Sequence, residues 1–148
     1  MKTALLQNDG GRTYVLVADR GEDAFEMLTD FARRERISAA QFTGIGAFAR
    51  ATVGWFDREA KQYREIPVDE QCEVLSLLGD VAVADDGPQV HAHLVVGLSD
   101  GTTRGGHLLR GEVWPTLEVV LRETPATLRK TSHPELGLAL IDPPRTTP

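Results

Sequence analysis

Apolar residues recur along this chain with two periods, and the places where the period changes mark its elements. Arg12 to Ala18, Arg-Thr-Tyr-Val-Leu-Val-Ala, follows the Gly10-Gly11 breaker and is rich in β-branched and aromatic residues, which predicts a strand. From Asp23 the spacing lengthens: Phe25, Leu28 and Ala32, flanked by Ala24 and Phe31, recur at three- and four-residue steps. Acids stand early in this stretch and Arg33, Arg34 and Arg36 late, the order a helix dipole favours, so the spacing predicts a helix ending near Ile37. Ala39 to Thr43 reads as a short strand before Gly44-Ile45-Gly46-Ala47, where the glycines permit a tight bend or close packing. Thr52 to Phe56 and Gln62 to Pro67 read as a hairpin joined by the charged segment Asp57 to Lys61. Cys72 to Gly79 has the length and apolarity of a buried strand, with Val81 to Ala84 as its continuation and Asp85-Asp86-Gly87-Pro88 as a turn. Thr116 to Thr124 alternates beyond Trp114-Pro115, and weaker signals lie at Leu128 to Lys130 and Leu136 to Ile141.

Between these elements, Val90 to Gly111 holds three of the four histidines. Period-two alternation puts His91, His93 and Val95 on one face and Ala92, Leu94 and Val96 on the other. Whether His107 joins the first two depends on the turn, because a one-residue slip in register sends a side chain to the opposite face. A two-residue turn at Asp100-Gly101 would set Leu94 opposite His107 and split the cluster. A three-residue loop Ser99-Asp100-Gly101, with Gly101 left-handed, would pair Leu98 with Thr102 and His93 with His107. A bulge at Gly105-Gly106 would restore the same parity, and the register that gathers all three histidines is the expected one.

Many short strands and one early helix make the fold class α+β, dominated by an antiparallel or mixed sheet. A length of 148 residues with 41% hydrophobic content supports a single domain with its own core, expected over about residues 12–141, with 142–148 a flexible tail. The formal charge of −6 opposes unaided coating of nucleic acid, since Lys and Arg neutralising phosphates supply most non-specific affinity. The densest basic run, Arg33, Arg34 and Arg36, is at helical spacing and reads as a solvated face. Cys72 stands alone, which excludes an intramolecular disulfide and fits an intracellular protein with a thiol in its core. No apolar run reaches the roughly 18 residues of a spanning helix, and the amino terminus lacks a signal-peptide core, so the expected location is the cytoplasm, with no membrane partner.

Five pieces stand in a familiar order: Gly44-Ile45-Gly46-Ala47, Glu73-Val74-Leu75-Ser76-Leu77-Leu78-Gly79, His91-Ala92-His93, Gly105-Gly106-His107 and Glu118-Val119-Val120. Together they resemble the plant and prokaryote conserved (PPC) domain, in its stand-alone prokaryotic form, over residues 12–141. The resemblance implies a mainly antiparallel sheet with flanking helices, a homotrimer, and a DNA-binding or regulatory role. In plants the domain accompanies AT-hooks, whose Arg-Gly-Arg-Pro core enters the minor groove; that core is absent here, so the resemblance carries assembly and partner recruitment more directly than DNA contact.

His91, His93 and His107 match the count of a zinc site with three protein ligands and an open fourth position, and prokaryotic members that resemble this chain share the pattern. Zinc or another divalent transition metal is the expected cofactor. Glu118 is the odd residue in an apolar strand; it is read as a pairing partner of Arg104 or Arg110, with metal ligand or orienting group for a histidine as the other roles. His133 falls in a loop, and Trp55 and Trp114 are read as core or interface residues. The leading function, as the resemblance implies it, is a homotrimeric, non-enzymatic scaffold or regulatory protein with a histidine-bound metal near the hairpin and a DNA-binding label carried by the family; DNA binding by the assembled trimer is a further reading. The alternative is a metal-dependent hydrolase or lyase in which the ion activates water and Glu118 acts as base.

Overall fold

The computed structural model describes residues 1–146. Its strands are β1 (Lys2–Asn8), β2 (Arg12–Ala18), β3 (Ala39–Asp57), β4 (Gln62–Val68), β5 (Cys72–Ala84), β6 (Gly87–Gly97), β7 (Thr103–Glu123), β8 (Lys130–His133) and β9 (Leu138–Ile141). One α-helix, α1 (Ala24–Arg34), and a 3-10 turn at Pro143–Arg145 complete the described residues, so the flanking helices expected of the family reduce here to one.

Seven strands form an antiparallel sheet in the order β1-β2-β7-β6-β5-β3-β4, and β7 also pairs with β3. The second pairing closes β3, β5, β6 and β7 on themselves. That closure is possible because β3 and β7 are much longer than their sequence signals. Gly44-Ile45-Gly46-Ala47 makes no tight bend: β3 runs through it with a register shift, and Gly46, at φ 157°, brings its backbone against Thr116 and Leu117 of β7. Trp114-Pro115 likewise does not end a strand, since β7 continues through it as a cis peptide. Register shifts on the β3–β7 ladder let each long strand serve three neighbours, β4, β5 and β7 for β3 and β2, β3 and β6 for β7.

Alternation then sorts the faces. Val90, Ala92, Leu94 and Val96 of β6 and Leu117, Val119 and Leu121 of β7 point inward and are buried. They pack with Leu16, Phe42, Phe48 and Leu77 into one core. The helix α1 lies against β6 and β7 and seals this core with Met27, Leu28 and Phe31. Its start is fixed by Asp23, whose Oδ1 accepts from the amides of Phe25 (2.9 Å) and Glu26 (3.0 Å) while Oδ2 accepts from Gly111 (3.0 Å) on β7. Its end is a Schellman arrangement: Arg36 turns left-handed at φ 55°, its amide reaches Arg33 O, and the amide of buried Ile37 reaches Ala32 O at 2.9 Å. Arg33, Arg34 and Arg36 are exposed, as a solvated face should be.

Cys72 is buried at the start of β5. Trp55 is exposed rather than in the core and carries Arg64 over its ring, whereas Trp114 is half-buried under Arg20. Strand β1 was not foreshadowed by alternation and lies wholly exposed at the sheet edge. Of the expected flexible tail, Asp142 to Thr146 are held to Thr131 and Arg129 by hydrogen bonds, and residues 147 and 148 lie outside the described residues.

Candidate metal centre

The site is built on the β6–β7 hairpin. The amide of Leu98 donates to Thr102 O at 2.8 Å and that of Gly101 to Leu98 O at 2.9 Å, with Gly101 left-handed at φ 81°. Asp100 Oδ1 stabilises the loop by accepting from the amide (2.8 Å) and hydroxyl (2.7 Å) of Thr102. This is the three-residue loop, and it sets His93 directly opposite His107. The ladder then runs without a shift from His93–His107 to Gly97–Thr103, so no bulge at Gly105-Gly106 is needed.

One nitrogen from each of His91, His93 and His107 lies within 4.8 Å of the other two. Two imidazoles bound at about 2.1 Å in a tetrahedral site stand roughly 3.4 Å apart, so modest ring rotations bring the three to ligating distance. The ring centroids are separated by 5.1 Å (His91–His93), 5.3 Å (His91–His107) and 5.7 Å (His93–His107). Two observations bear on whether these residues fit a metal. His107 Nδ1 is buried with no hydrogen-bond partner, a state that costs free energy unless something coordinates it. Burial also pushes the His107 pKa down to about 4, with His91 and His93 adding to the effect, and burial lowers that of His93 as well. Neutral imidazole is the form that binds metal, so the donor set fits a borderline-soft divalent ion such as zinc.

Two further side chains touch the triad, Asp80 and Tyr63. Asp80 faces His91 across the β5–β6 ladder, its Oδ2 3.4 Å from His91 Nδ1, while its Oδ1 is buried without a partner. A carboxylate behind one ring nitrogen orients the other nitrogen outward. Tyr63 of β4 stacks on His107 at 4.5 Å and 19°. It reaches there because residue 54, paired with His107 on β3, is glycine: a Cβ at Gly54 would stand 2.8 Å from Tyr63 Cδ1. Lys130, at the start of β8, is half-buried, and burial lowers its ammonium pKa while Asp80 opposes the shift. A trace of Asp80 was present in the sequence, as a charge interrupting the apolar run of β5; Tyr63 and Lys130 had no local signal.

Glu118 is elsewhere. It pairs with Val17 and Ile45 toward the opposite end of β7, is exposed, and makes no ion pair with Arg104 or Arg110 among the described residues. Ile45, Leu75 and Pro115 line one shallow cavity beside it together with Glu73 and Thr116. His133 ends β8 and binds Glu135 at 2.9 Å, away from the triad. Burial raises the Cys72 thiol pKa, which keeps it protonated and unreactive.

Comparison with known proteins gives this geometry a context. Residues 6–125 match the Plants and Prokaryotes Conserved (PCC) domain. The chain is similar to a plant- and prokaryote-conserved protein from Pyrococcus horikoshii, at 34% identity and a TM-score of 0.84 over 95% of this chain and 94% of that one. It is similar to a metal-containing protein from Archaeoglobus fulgidus, at 31% identity and a TM-score of 0.82 over 96% and 99%. A candidate DNA-binding protein from Bacteroides thetaiotaomicron aligns at 25% identity with a TM-score of 0.88 over 97% and 99%. Among curated proteins it is 34% identical over 115 residues to the bifunctional protein GlmU of a Synechococcus strain, a match that takes in 76% of this chain but only 17% of that protein's length.

Proposed function

Since the chain belongs to the Plants and Prokaryotes Conserved domain family, we propose that it is a homotrimeric regulatory or binding protein whose histidines 91, 93 and 107 hold a divalent transition-metal ion of the zinc class. The observation that carries this reading is the convergence of three imidazole nitrogens within 4.8 Å on one hairpin, with Asp80 behind His91. The Archaeoglobus relative, described as metal-containing, supports it. His91, His93 and His107 would be the ligands, and Asp80 would hold the His91 tautomer.

Elemental analysis of protein purified without an affinity tag tests the reading. One equivalent of zinc, cobalt, nickel or iron per chain is expected, and His93→Ala should lose it while remaining folded. A metal-free wild type that also fails to take up added zinc rejects the proposal.

A second reading is favoured by the exposure of His93, which leaves the solvent side of the triad open. Zinc held by three imidazoles keeps a position for water and makes that water acidic near neutrality, the chemistry of a hydrolase or lyase. Glu118 is too far along β7 to serve as the base, so Asp80 is the carboxylate available beside the triad. This version requires an activity that chelation abolishes and zinc restores. DNA binding is named for the Bacteroides relative, and the charge of −6 on this chain works against it.

A further inference from the structure

A polar row crosses the outer face of the sheet and ends at the histidines. Thr13 of β2 pairs with Arg122 of β7, Arg122 with Gln41 of β3, Gln41 with Asp80 of β5, and Asp80 with His91 of β6. Residues opposite one another on a ladder share a face, so these five side chains lie on one side, while their strand neighbours Tyr14, Leu121, Phe42, Val81 and Ala92 are buried on the other. Thr13, Arg122, Gln41 and Asp80 line a cleft of about 540 Å³, within the size range of small-molecule sites. The Gly10-Gly11 turn between β1 and β2 lines it as well. That turn lies directly on the end of β7, since a Cβ at Gly11 would stand 2.6 Å from Glu123 O.

Four charged groups line the cleft, and two of them are already satisfied. Glu123 is held by the Arg12 guanidinium at 2.6 and 2.8 Å, and Asp9 accepts from the Gln7 amide. The other two, Asp80 and Arg122, are ion-paired neither with each other nor with any lysine, arginine or acid among the described residues. Asp80 has the His91 ring 3.4 Å from Oδ2, while its Oδ1 is buried and makes no hydrogen bond. A carboxylate oxygen left in that state costs free energy, and a donor that reaches it removes the cost. Both residues flank Gln41, which puts their Cα atoms roughly 10 Å apart, two strand spacings. The long Arg122 stem can close part of that span, leaving room for a small molecule between the two charges.

We infer that this cleft binds a small zwitterion of the amino-acid class, its carboxylate on Arg122 and its ammonium on Asp80. The planar guanidinium fork matches a carboxylate with two parallel N–H···O bonds, and an ammonium offers Asp80 the donor it lacks. The Gln41 amide stands between the two and can both donate and accept. A ligand with one charge alone leaves the opposite protein charge unanswered, so the cleft selects for molecules that carry both. The inference stands independently of the metal reading, because none of these three side chains belongs to the histidine triad.

Amide NMR of isotope-labelled protein, used as purified, both detects and locates binding. The protein would be titrated with glycine, β-alanine and γ-aminobutyrate, which carry the two charges at increasing separation, and with acetate and methylammonium, which carry one each. The expected result is a saturable shift of the Gly10, Gly11, Gln41 and Arg122 amides with at least one of the three zwitterions. Acetate and methylammonium should bind about tenfold more weakly or worse, the scale of one lost charge-assisted hydrogen bond. Arg122→Gln and Asp80→Asn should each weaken the best zwitterion by about tenfold or more, and Arg122→Lys should keep more affinity than Arg122→Gln. The same spectra report whether each variant is folded, and discrimination between zwitterions and single charges in the wild type tests the site without any variant.

No saturable shift with any of the three zwitterions overturns the inference. Acetate binding as tightly as the best zwitterion also overturns it, since the cleft would then be an anion site that makes no use of Asp80. Wild-type affinity in folded Arg122→Gln or Asp80→Asn does the same. Shifts centred on His93 and His107 in place of the cleft overturn it too, because the amino acid would then be chelating a metal at the triad.

Discussion

His107 sits where three strands meet, paired with His93 on one side and Gly54 on the other and covered by Tyr63. Its depressed pKa has a consequence for stability in the metal-free protein. The unfolded ring takes up a proton near 6.5 and the folded ring only near 4, so between those values the unfolded state binds more protons. Stability should therefore be full above about pH 6.5 and decline as pH falls toward about 4, with His93 contributing in the same direction. Urea denaturation of metal-free protein across that window should show the decline, and His107→Gln should flatten it; an unchanged pH dependence counts against a neutral buried ring. Asp80→Asn probes the neighbouring contact: metal affinity should drop by roughly ten- to a hundredfold with ligands intact, measured by competition with a chelating dye. At this scale His91 and His93 were legible because alternation puts both on one face, and His107 joined them through the expected turn. Asp80 and Tyr63 were not legible, because each reaches the site across a strand pairing that no local spacing encodes.

Two elements hold the site in place, the β6–β7 hairpin and the helix behind it. The hairpin was readable but its parity was an expectation, since Gly101 suits either a two-residue turn or the three-residue loop, and the structure forms the expected loop that pairs His93 with His107. The helix was readable as well, from Asp23 to an end near Ile37, but not the device that ends it: a left-handed arginine at position 36, where glycine would be at ease. Arg36→Gly should consequently raise stability by about 1 kcal/mol, seen as a shifted denaturation midpoint with an unchanged slope. A fall in stability would mean that the Arg36 side chain makes up for its own backbone strain. The long strands were read as fragments for a related reason. Glycines at 44 and 46 and the Trp114-Pro115 pair usually signal breaks, but here close packing of β3 on β7 uses Gly46 as a bulge and carries both strands through.

For the molecule as a whole, the outer face of the closed sheet leaves Ile45 (63% exposed), Leu78 (55%), Leu75 (54%), Val120 (46%) and Val95 (40%) facing solvent. Val120, Thr43, Leu78 and His93 lie in one row across β7, β3, β5 and β6, so this aliphatic surface runs up to the histidines. A continuous apolar surface of this kind is what a subunit interface requires, and it supports the proposed trimer. Sedimentation equilibrium should return three times the 16.2 kDa chain mass, and Ile45→Lys or Leu78→Lys should shift the protein to the single-chain mass; a wild-type monomer at micromolar concentration would refute the trimer. The sequence by itself determined which residues face inward along the well-patterned strands, where the helix begins, and that His91 and His93 share one face with His107 joining them only in the odd-parity register, because side-chain period and turn chemistry act within a few residues. The tertiary structure alone decided that β3 and β7 close the sheet, that Glu118 lies away from the triad, and that Asp80 and Tyr63 lie against it. Those outcomes depend on pairings between residues far apart in the chain, where burial of the shared core selects one register among many that local sequence would allow.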